Sequence, residues 1–294
     1  MRRHAAAQNE RTGINKVAPY LLFVGEADFD DRVQGEPYIT AKQDIGLNRA
    51  FLPPAPDAQV RQTWGPLSSP QPDTCLGYVT RSDAEAAGCE APFTTDEESI
   101  LHSFSLSQYT HCPFLTAQWK VPNSSENLHT AQNQAARDGA AVVNYLYDLH
   151  LAAYGTVPSV AQTCHFSVQS DLQHGGLWVH WRDGADHHME LEYDFSMRDL
   201  SQLERLRTRL HNILEHAVGE RLDTIKAALP KLAESQASNR FPTYRSTDDR
   251  TTPSESSGNV SRPFLTDVFS FAPPLTPSSG PSEPGKPRKR AKHG

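Results

Sequence analysis

Cysteine is scarce in this chain of 294 residues. Cys75, Cys89, Cys112 and Cys164 are too few and too scattered for a disulfide framework, so reduced thiols in a cell interior are expected. Long apolar runs are also missing, since none approaches the ~18 residues that a membrane span needs. The charged N-terminal residues are not followed by an apolar signal core. We therefore expect a soluble intracellular protein, and a secreted effector is the less favoured alternative.

A broad excess of positive charge is absent as well. The chain has 28 Lys and Arg against 35 Asp and Glu, a formal net charge of −7, so any surface that binds nucleic acid must be local. Proline is abundant near both ends of the chain. We therefore predict a poorly defined N-terminal arm over residues 1–55, one globular domain over 56–232, and a disordered Ser/Thr/Pro-rich tail over 233–294.

Apolar periodicity in the central region switches between the two-residue repeat of strands and the longer repeat of helices. The run that begins at Phe114 is nearly continuous, which is typical of a central strand covered on both faces. We expect an α/β (α+β) fold with a central mixed sheet and helices on both of its faces. The predicted strands are Cys75–Thr80, Phe114–Val121, Thr163–Leu172, Leu177–Arg182 and Met189–Phe195; the predicted helices are Asp96–Phe104, Leu128–Ala153, Leu200–Val218 and Glu220–Leu229.

Two of these strands carry polar residues at one end. Asp73 precedes the strand from Cys75, while Gln118 and Lys120 lie two residues apart near the end of the next strand and so share a face. A metal-dependent phosphodiesterase needs oxygen ligands for Mg²⁺ and a cation near the scissile phosphate. Asp73 and Gln118 are therefore candidate metal ligands, and all three are candidate catalytic residues. Read structurally, Pro-Asp is a common turn dipeptide and Lys is common at strand ends.

The helix that follows is unusually polar for one that packs on a sheet. Gln134, Arg137 and Asp138 lie on one face at helical spacing. Gln134 and Arg137 are candidate contacts for a nucleic-acid phosphate. A solvated helix face, with Gly139 allowing close packing on the sheet, is the equally weighted alternative.

Several short motifs together resemble a domain family of unknown function from filamentous fungi, over roughly residues 60–230. Its members are similar to the PD-(D/E)XK, or restriction-endonuclease-like, nucleases. The motifs are Cys112-Pro113-Phe114-Leu115-Thr116 with Lys120, Asn133-Gln134-Ala135-Ala136-Arg137-Asp138-Gly139-Ala140, Cys164-His165-Phe166-Ser167, and Val179-His180-Trp181.

The resemblance implies a restriction-endonuclease-like core in which Asp73 and the residue at 118 bind Mg²⁺ and Lys120 orients or activates water. It also implies that the helix after the lysine strand directs a Gln or a basic residue at the site. Gln118 departs from the family's acidic residue. A neutral amide oxygen is a weaker Mg²⁺ ligand than a carboxylate. Whether the domain is an active enzyme or an inactive relative therefore stays open.

A zinc site is the less favoured interpretation of the His and Cys residues. Cys112, Cys164 and the histidines at 165, 180, 187 and 188 lack CxxC or HxxxH spacing. His165 and His180 are instead expected to meet across a hairpin.

A short basic run, with Lys286, Arg288, Lys289, Arg290 and Lys292, follows the predicted tail. Such a run is typical of a nuclear-localisation signal, so an import receptor is an expected partner and the nucleus the expected location, with the cytoplasm as the alternative. Two functions stay open: a divergent Mg²⁺-dependent nuclease-like domain that acts on or binds nucleic acid, and a non-catalytic nuclear protein-interaction module.

Overall fold

Six strands pair in chain order into one sheet. The structure, a computed structural model, describes residues 36–54, 57–120 and 127–238, with Ala18, Leu21 and Leu22. The strands are β1 (Ile39–Gln43), β2 (Thr74–Tyr78), β3 (His111–Trp119), β4 (His165–Ser170), β5 (His174–Asp183) and β6 (Asp186–Ser196). All neighbouring pairs are antiparallel except β3 and β4, which are parallel.

Helices flank this sheet. They are α1 (Ala58–Trp64), α2 (Arg81–Ala86), α3 (Thr95–Ser103), α4 (Leu128–Tyr154), α5 (Val160–Thr163), α6 (Leu200–His216) and α7 (Leu222–Ser238), with a 3-10 turn at Arg49–Phe51 and a π turn at Ala217–Arg221. The mixed sheet with flanking helices confirms the predicted α+β class. None of the helices in the described ranges is long and apolar enough to cross a membrane.

Strand β3 forms the centre of the sheet, and all nine of its residues are buried. It pairs with β2 on one side and with β4 on the other. Because parallel neighbours need a crossover connection, the chain must travel back along the sheet between β3 and β4. Helix α4, of 27 residues, makes that crossover and packs on β3, β4 and β5.

The two faces of the sheet are covered by different helices. On one face, Gly139 of α4 lies directly against His180 of β5. On the other face, the hydroxyl of Tyr193 on β6 donates to the carbonyl oxygen of Gln202 in α6. Leu177 pairs with Tyr193, so their side chains lie on the same face of the sheet. Trp178 and His180 lie on the opposite face, because side chains alternate along a strand. Helices on both faces were expected from the sequence.

The ordered sheet begins earlier than the sequence suggested, and the helices end later. Strand β1 lies inside the segment 1–55, for which the sequence predicts a poorly defined arm, and Ile39 at its start pairs with Tyr78.

Helix α7 runs through Pro230, where the sequence predicts that the helix ends. Proline removes one helical hydrogen bond, but buried Leu229 and Leu232 on either side anchor the helix in the core. The tail from 239 onward lies outside the described residues.

The sequence predicts a capping box before α3, with Thr95 as N-cap and Glu98 three residues on, and the structure places that box one residue earlier. Thr94, not Thr95, is the N-cap, and its side chain accepts from the backbone N–H of Glu97 while the Glu97 carboxylate accepts from Thr94 N–H. Two consecutive threonines followed by two consecutive glutamates satisfy the motif in either register, so the sequence alone did not separate them.

In the sequence, Met189, Leu191, Tyr193 and Phe195 alternate with polar residues, which predicts one half-buried face of β6. A register shift breaks this alternation. Leu191 pairs with Trp178 and Tyr193 with Leu177, so Glu192 has no partner across the strand pair. Trp178 and Leu177 are adjacent on β5 and therefore point to opposite faces of the sheet. Their partners Leu191 and Tyr193 consequently point to opposite faces as well. Leu191 is consequently 50% exposed, where the pattern predicted burial.

Candidate functional site

Asp73 lies immediately before β2, beside the carboxyl end of β3. Its Oδ2 accepts a hydrogen bond of 2.7 Å from the backbone N–H of Trp119. Trp119 stands between Gln118 and Lys120 in the chain. The structure therefore brings the three residues singled out in the sequence to one end of two paired strands.

Gln118 and Lys120 are both buried, with 1% and 3% of their surfaces exposed. The backbone N–H of Lys120 donates to the carbonyl oxygen of Ser170 at 2.8 Å, which continues the β3–β4 pairing one residue past β3. The Gln118 amide nitrogen donates to Oδ2 of Asp138 at 2.6 Å. Gln118 thus joins the strand end to helix α4.

Asp138 is the central acid of this site, although the sequence placed it on the polar helix face without giving it a role. Its side chain is fully buried. Its Oδ1 accepts from Nε and Nη2 of Arg137, both at 2.8 Å, and from the backbone N–H of Gln71 at 3.2 Å. Burial raises the pKa of Asp138, and the Arg137 charge with the hydrogen bonds from Arg137, Gln118 and Gln71 opposes that rise.

A signal for Asp138 was present in the sequence. Arg137, Asp138 and Gly139 interrupt the apolar body of a long helix, and Gly139 requires close contact with the sheet. The residue beside such a glycine is therefore carried toward the sheet as well.

Arg137 and Gln134, the predicted phosphate contacts, have different surroundings. The Arg137 guanidinium is occupied by Asp138 and by Oγ of Ser68, to which Nη1 donates at 2.6 Å. Gln134 is partly buried, and its Oε1 is buried with no hydrogen-bond partner among the described residues. Of these two side chains, Gln134 alone keeps a polar atom without a hydrogen-bond partner among the described residues, and that atom, Oε1, is an acceptor. A phosphate needs a donor, so the predicted contact would have to use the Gln134 amide nitrogen.

The segment 65–71, here called the cover loop, closes the site. Besides the Ser68 contact, the Gln71 carbonyl oxygen accepts from the Gln118 amide at 3.4 Å, and the Gln71 N–H donates to Asp138. Most cover-loop residues are exposed to solvent. Polar side chains that would otherwise face water are thus satisfied by the loop backbone.

Within the part of the chain that the structure describes, Asp73 and Asp138 belong to no group of three or more His, Cys, Asp or Glu side chains with ligand atoms within 4.8 Å of one another. The polar groups at this end of β3 include the Asp73 and Asp138 carboxylates and the Gln118 amide. Their oxygens are the donor type that hard cations such as Mg²⁺ take.

A second polar layer lies between the sheet and α4. His165 and His180 are paired across β4 and β5, as the sequence predicted, with ring centroids 5.7 Å apart. Nε2 of His165 is 2.9 Å from Oγ1 of Thr116, and Nε2 of His180 is 2.7 Å from Oγ of Ser167. Burial lowers the pKa of both imidazoles, to about 3 for His180 and well below its ordinary value for His165. Both rings are therefore neutral and structural at neutral pH.

The model of a family described as a domain of unknown function (DUF7924) matches residues 3–229 of the chain. Neither a curated protein nor a solved structure matches it. The matched segment contains every strand of the sheet and the whole of the site around Asp73.

Proposed function

The chain belongs to the DUF7924 family, a domain of unknown function, and from that premise we propose that it is a divergent, Mg²⁺-dependent nuclease-like domain that acts on nucleic acid. The observation that carries the proposal is the contact of the Asp73 carboxylate with the backbone between Gln118 and Lys120. In this role Asp73 binds Mg²⁺, Gln118 offers its amide oxygen, and Lys120 assists the attacking water. The resemblance to fungal relatives of PD-(D/E)XK nucleases supports the same assignment.

Asp138 compensates for the missing acid at position 118. A neutral amide stands where the family pattern has a carboxylate, which removes one negative charge from the metal site. The Asp138 carboxylate lies 2.6 Å from that amide and is delivered by a different element, helix α4. The site thus retains two carboxylates, Asp73 and Asp138, near one strand end.

The cover loop controls access in this proposal. Asp138 is fully buried, and the loop hydrogen bonds through Ser68 and Gln71 hold Arg137 and Gln118 in place around it. Opening of residues 65–71 would release Arg137 toward a phosphate and admit Mg²⁺ to Asp138. Loops over a fixed scaffold are the usual elements for such gating.

Replacing Asp73 with Asn tests the metal role with little structural change, since Asn keeps an acceptor for the Trp119 N–H. We expect wild-type protein to cleave single- or double-stranded DNA or RNA oligonucleotides with Mg²⁺ or Mn²⁺, and Asp73→Asn to lose at least ~100-fold of that rate, more than an outer-shell change would remove. Asp186→Asn, at the exposed first residue of β6, is the matched control and should cleave like wild type. Equal cleavage by all three proteins would assign the activity to a contaminant and contradict the proposal.

The same assay with Gln118→Glu examines the departure from the family pattern. The Gln118 amide nitrogen lies 2.6 Å from Oδ2 of Asp138, and an oxygen of the new carboxylate would take its place. Two carboxylates at that distance share a proton unless a cation lies between them. Mg²⁺ should therefore raise the thermal unfolding midpoint of Gln118→Glu more than that of wild type, and cleavage should increase. If Mg²⁺ leaves the thermal unfolding midpoint of both wild type and Gln118→Glu unchanged, that result would count against a metal at this position.

A non-catalytic protein-interaction module is the second candidate. It is favoured by one observation: the polar atoms of Gln118 and Asp138 are bonded to each other and to the cover loop and are buried. If wild type and Gln118→Glu neither cleave nor bind the oligonucleotides in filter-binding measurements, this candidate replaces the first.

Nuclear import through the basic run at residues 286–292 is part of both candidates, and that run lies outside the described residues. A fluorescent protein fused to this run should accumulate in nuclei, whereas a fusion with Lys289 and Arg290 both changed to Ala should spread through the cell. Equal distribution of the two fusions would remove the import receptor as a partner.

A further inference from the structure

Three potential metal ligands converge at the other end of β3 from Gln118. Glu98 and His102 are four residues apart on α3 and therefore share a helix face. His111 is the first residue of β3. The ligand atoms of these three side chains all lie within 4.8 Å of one another.

Two of the three ligands are already held in place. His111 is 3% exposed, and its Nε2 is 2.9 Å from Oε1 of Glu98. The same Glu98 oxygen accepts the backbone N–H of Arg81 at 2.7 Å. A buried ring and a carboxylate fixed by a second element form a preorganised pair of donors.

His102 completes the set from the solvent side. Its ring centroid is 5.4 Å from that of His111, and the residue is exposed, so its ring can turn without disturbing the core. The N-cap of Thr94 fixes the first turn of the helix that carries both Glu98 and His102. The cluster therefore combines two rigid ligands with one adjustable ligand at the protein surface.

We propose that Glu98, His102 and His111 bind one Zn²⁺ ion. Two imidazoles and a carboxylate are a donor set that Zn²⁺ takes, and three protein ligands leave a fourth tetrahedral position for water or a small ligand on the exposed side. Zinc–ligand bonds of about 2.0–2.1 Å place tetrahedral ligand atoms about 3.3 Å apart. The 2.9 Å contact between Glu98 and His111 needs to open by only a few tenths of an ångström when the ion replaces the bridging proton.

This zinc site is separate from the proposed nuclease-like site. Strand β3 is irregular after His111, but the β2 partners of His111 and Ala117, Tyr78 and Thr74, are four residues apart. At the usual rise per residue this places about 13 Å between the backbones of His111 and Ala117. The zinc site would join α3 to the central strand and the N-terminus of α2 through Arg81. Its presence does not depend on Mg²⁺ or on cleavage.

Zinc titration of the full chain tests the proposal. Protein stripped of metal with a chelator is titrated with Zn²⁺ in competition with a chromophoric chelator. We expect one ion per chain and at least a ~10–100-fold weaker affinity for His102→Ala, since even an outer-shell partner contributes that much. His129→Ala, an exposed histidine on α4, is the matched control and should bind like wild type.

A second variant guards against a folding defect. Glu98→Gln keeps an acceptor for the Arg81 N–H but loses the charged ligand, and it should also weaken Zn²⁺ binding while circular dichroism stays unchanged. Co²⁺ in wild type should show the visible absorption of tetrahedral coordination. Equal affinity of wild type, His102→Ala and Glu98→Gln, or binding of several ions to each alike, would overturn the site.

Discussion

Between about pH 8 and pH 5, the burial of His180 is expected to reduce the free energy of unfolding by about 2 kcal/mol, and the buried His165 should add to that loss. Burial lowers the pKa of both imidazoles in the folded state, to about 3 for His180. In the unfolded chain they titrate near the ordinary value of about 6.5. The unfolded state then binds more protons below that value, so stability is complete above it and is lost as the pH falls toward the folded pKa.

Urea unfolding at a series of pH values measures this effect. His180 should add about 1.2 kcal/mol per pH unit to the slope of the unfolding free energy between about pH 6 and 5, and His165 should steepen that slope further. His180→Gln should lower the slope by that amount whatever its effect on absolute stability, whereas His129→Gln, at an exposed position, should leave the slope unchanged. Identical slopes in the wild type and His180→Gln would show that His180 binds its proton equally in the folded and the unfolded protein, which contradicts the prediction.

Gly139→Ala is expected to destabilise the fold by about 1–3 kcal/mol, although alanine is the better helix former. An added Cβ would lie 2.3 Å from Nδ1 of His180 and 2.6 Å from its Cγ. His180 cannot retreat easily, because it is 2% exposed and bonded to Ser167. Helix α4 must therefore shift away from β5, which also strains the Gln118–Asp138 contact.

Two comparisons isolate the cause of that loss. Gly46→Ala, at an exposed position with no atom within 4 Å of the new Cβ, should leave the unfolding free energy nearly unchanged. In the His180→Ala background, Gly139→Ala should cost little or become stabilising, because the overlap is gone. A full cost in both backgrounds would show that packing against His180 is not the reason for the glycine.

The strand-end residues were accessible from sequence because their geometry is local. Two positions i and i+2 on one strand share a face, and this rule alone placed Gln118 and Lys120 together. Asp73 needed only the assumption that the preceding strand pairs beside it, and the antiparallel β2–β3 pair meets that assumption. The buried pairing of His165 with His180 was predicted for the same reason.

Asp138 and the zinc ligands depended on long-range contacts. Within a polar stretch of helix, Asp138 has the pattern of a solvated face, and only the return of α4 over β3 buries it. Glu98 and His102 have the pattern of an ordinary surface pair until His111, on a different element, is brought beside them. The register shift opposite Leu177 is likewise a property of two strands together, so no pattern in β6 alone contained it.

Strand β6 is one edge of the six-stranded sheet, and no strand among the described residues pairs with its outer side. An edge of 11 residues is long enough to recruit a strand from another molecule and to start aggregation. Glu190 and Asp194 are exposed along this edge, and their charges repel the same edge of a second copy. Glu192, the extra residue at the register shift, has its carboxylate 3.6 Å from Nε of Arg209. Such an extra residue increases the local twist of the strand, so a flat partner strand fits the edge poorly. The irregularity that broke the sequence pattern thus helps to keep the protein from polymerising through its own sheet.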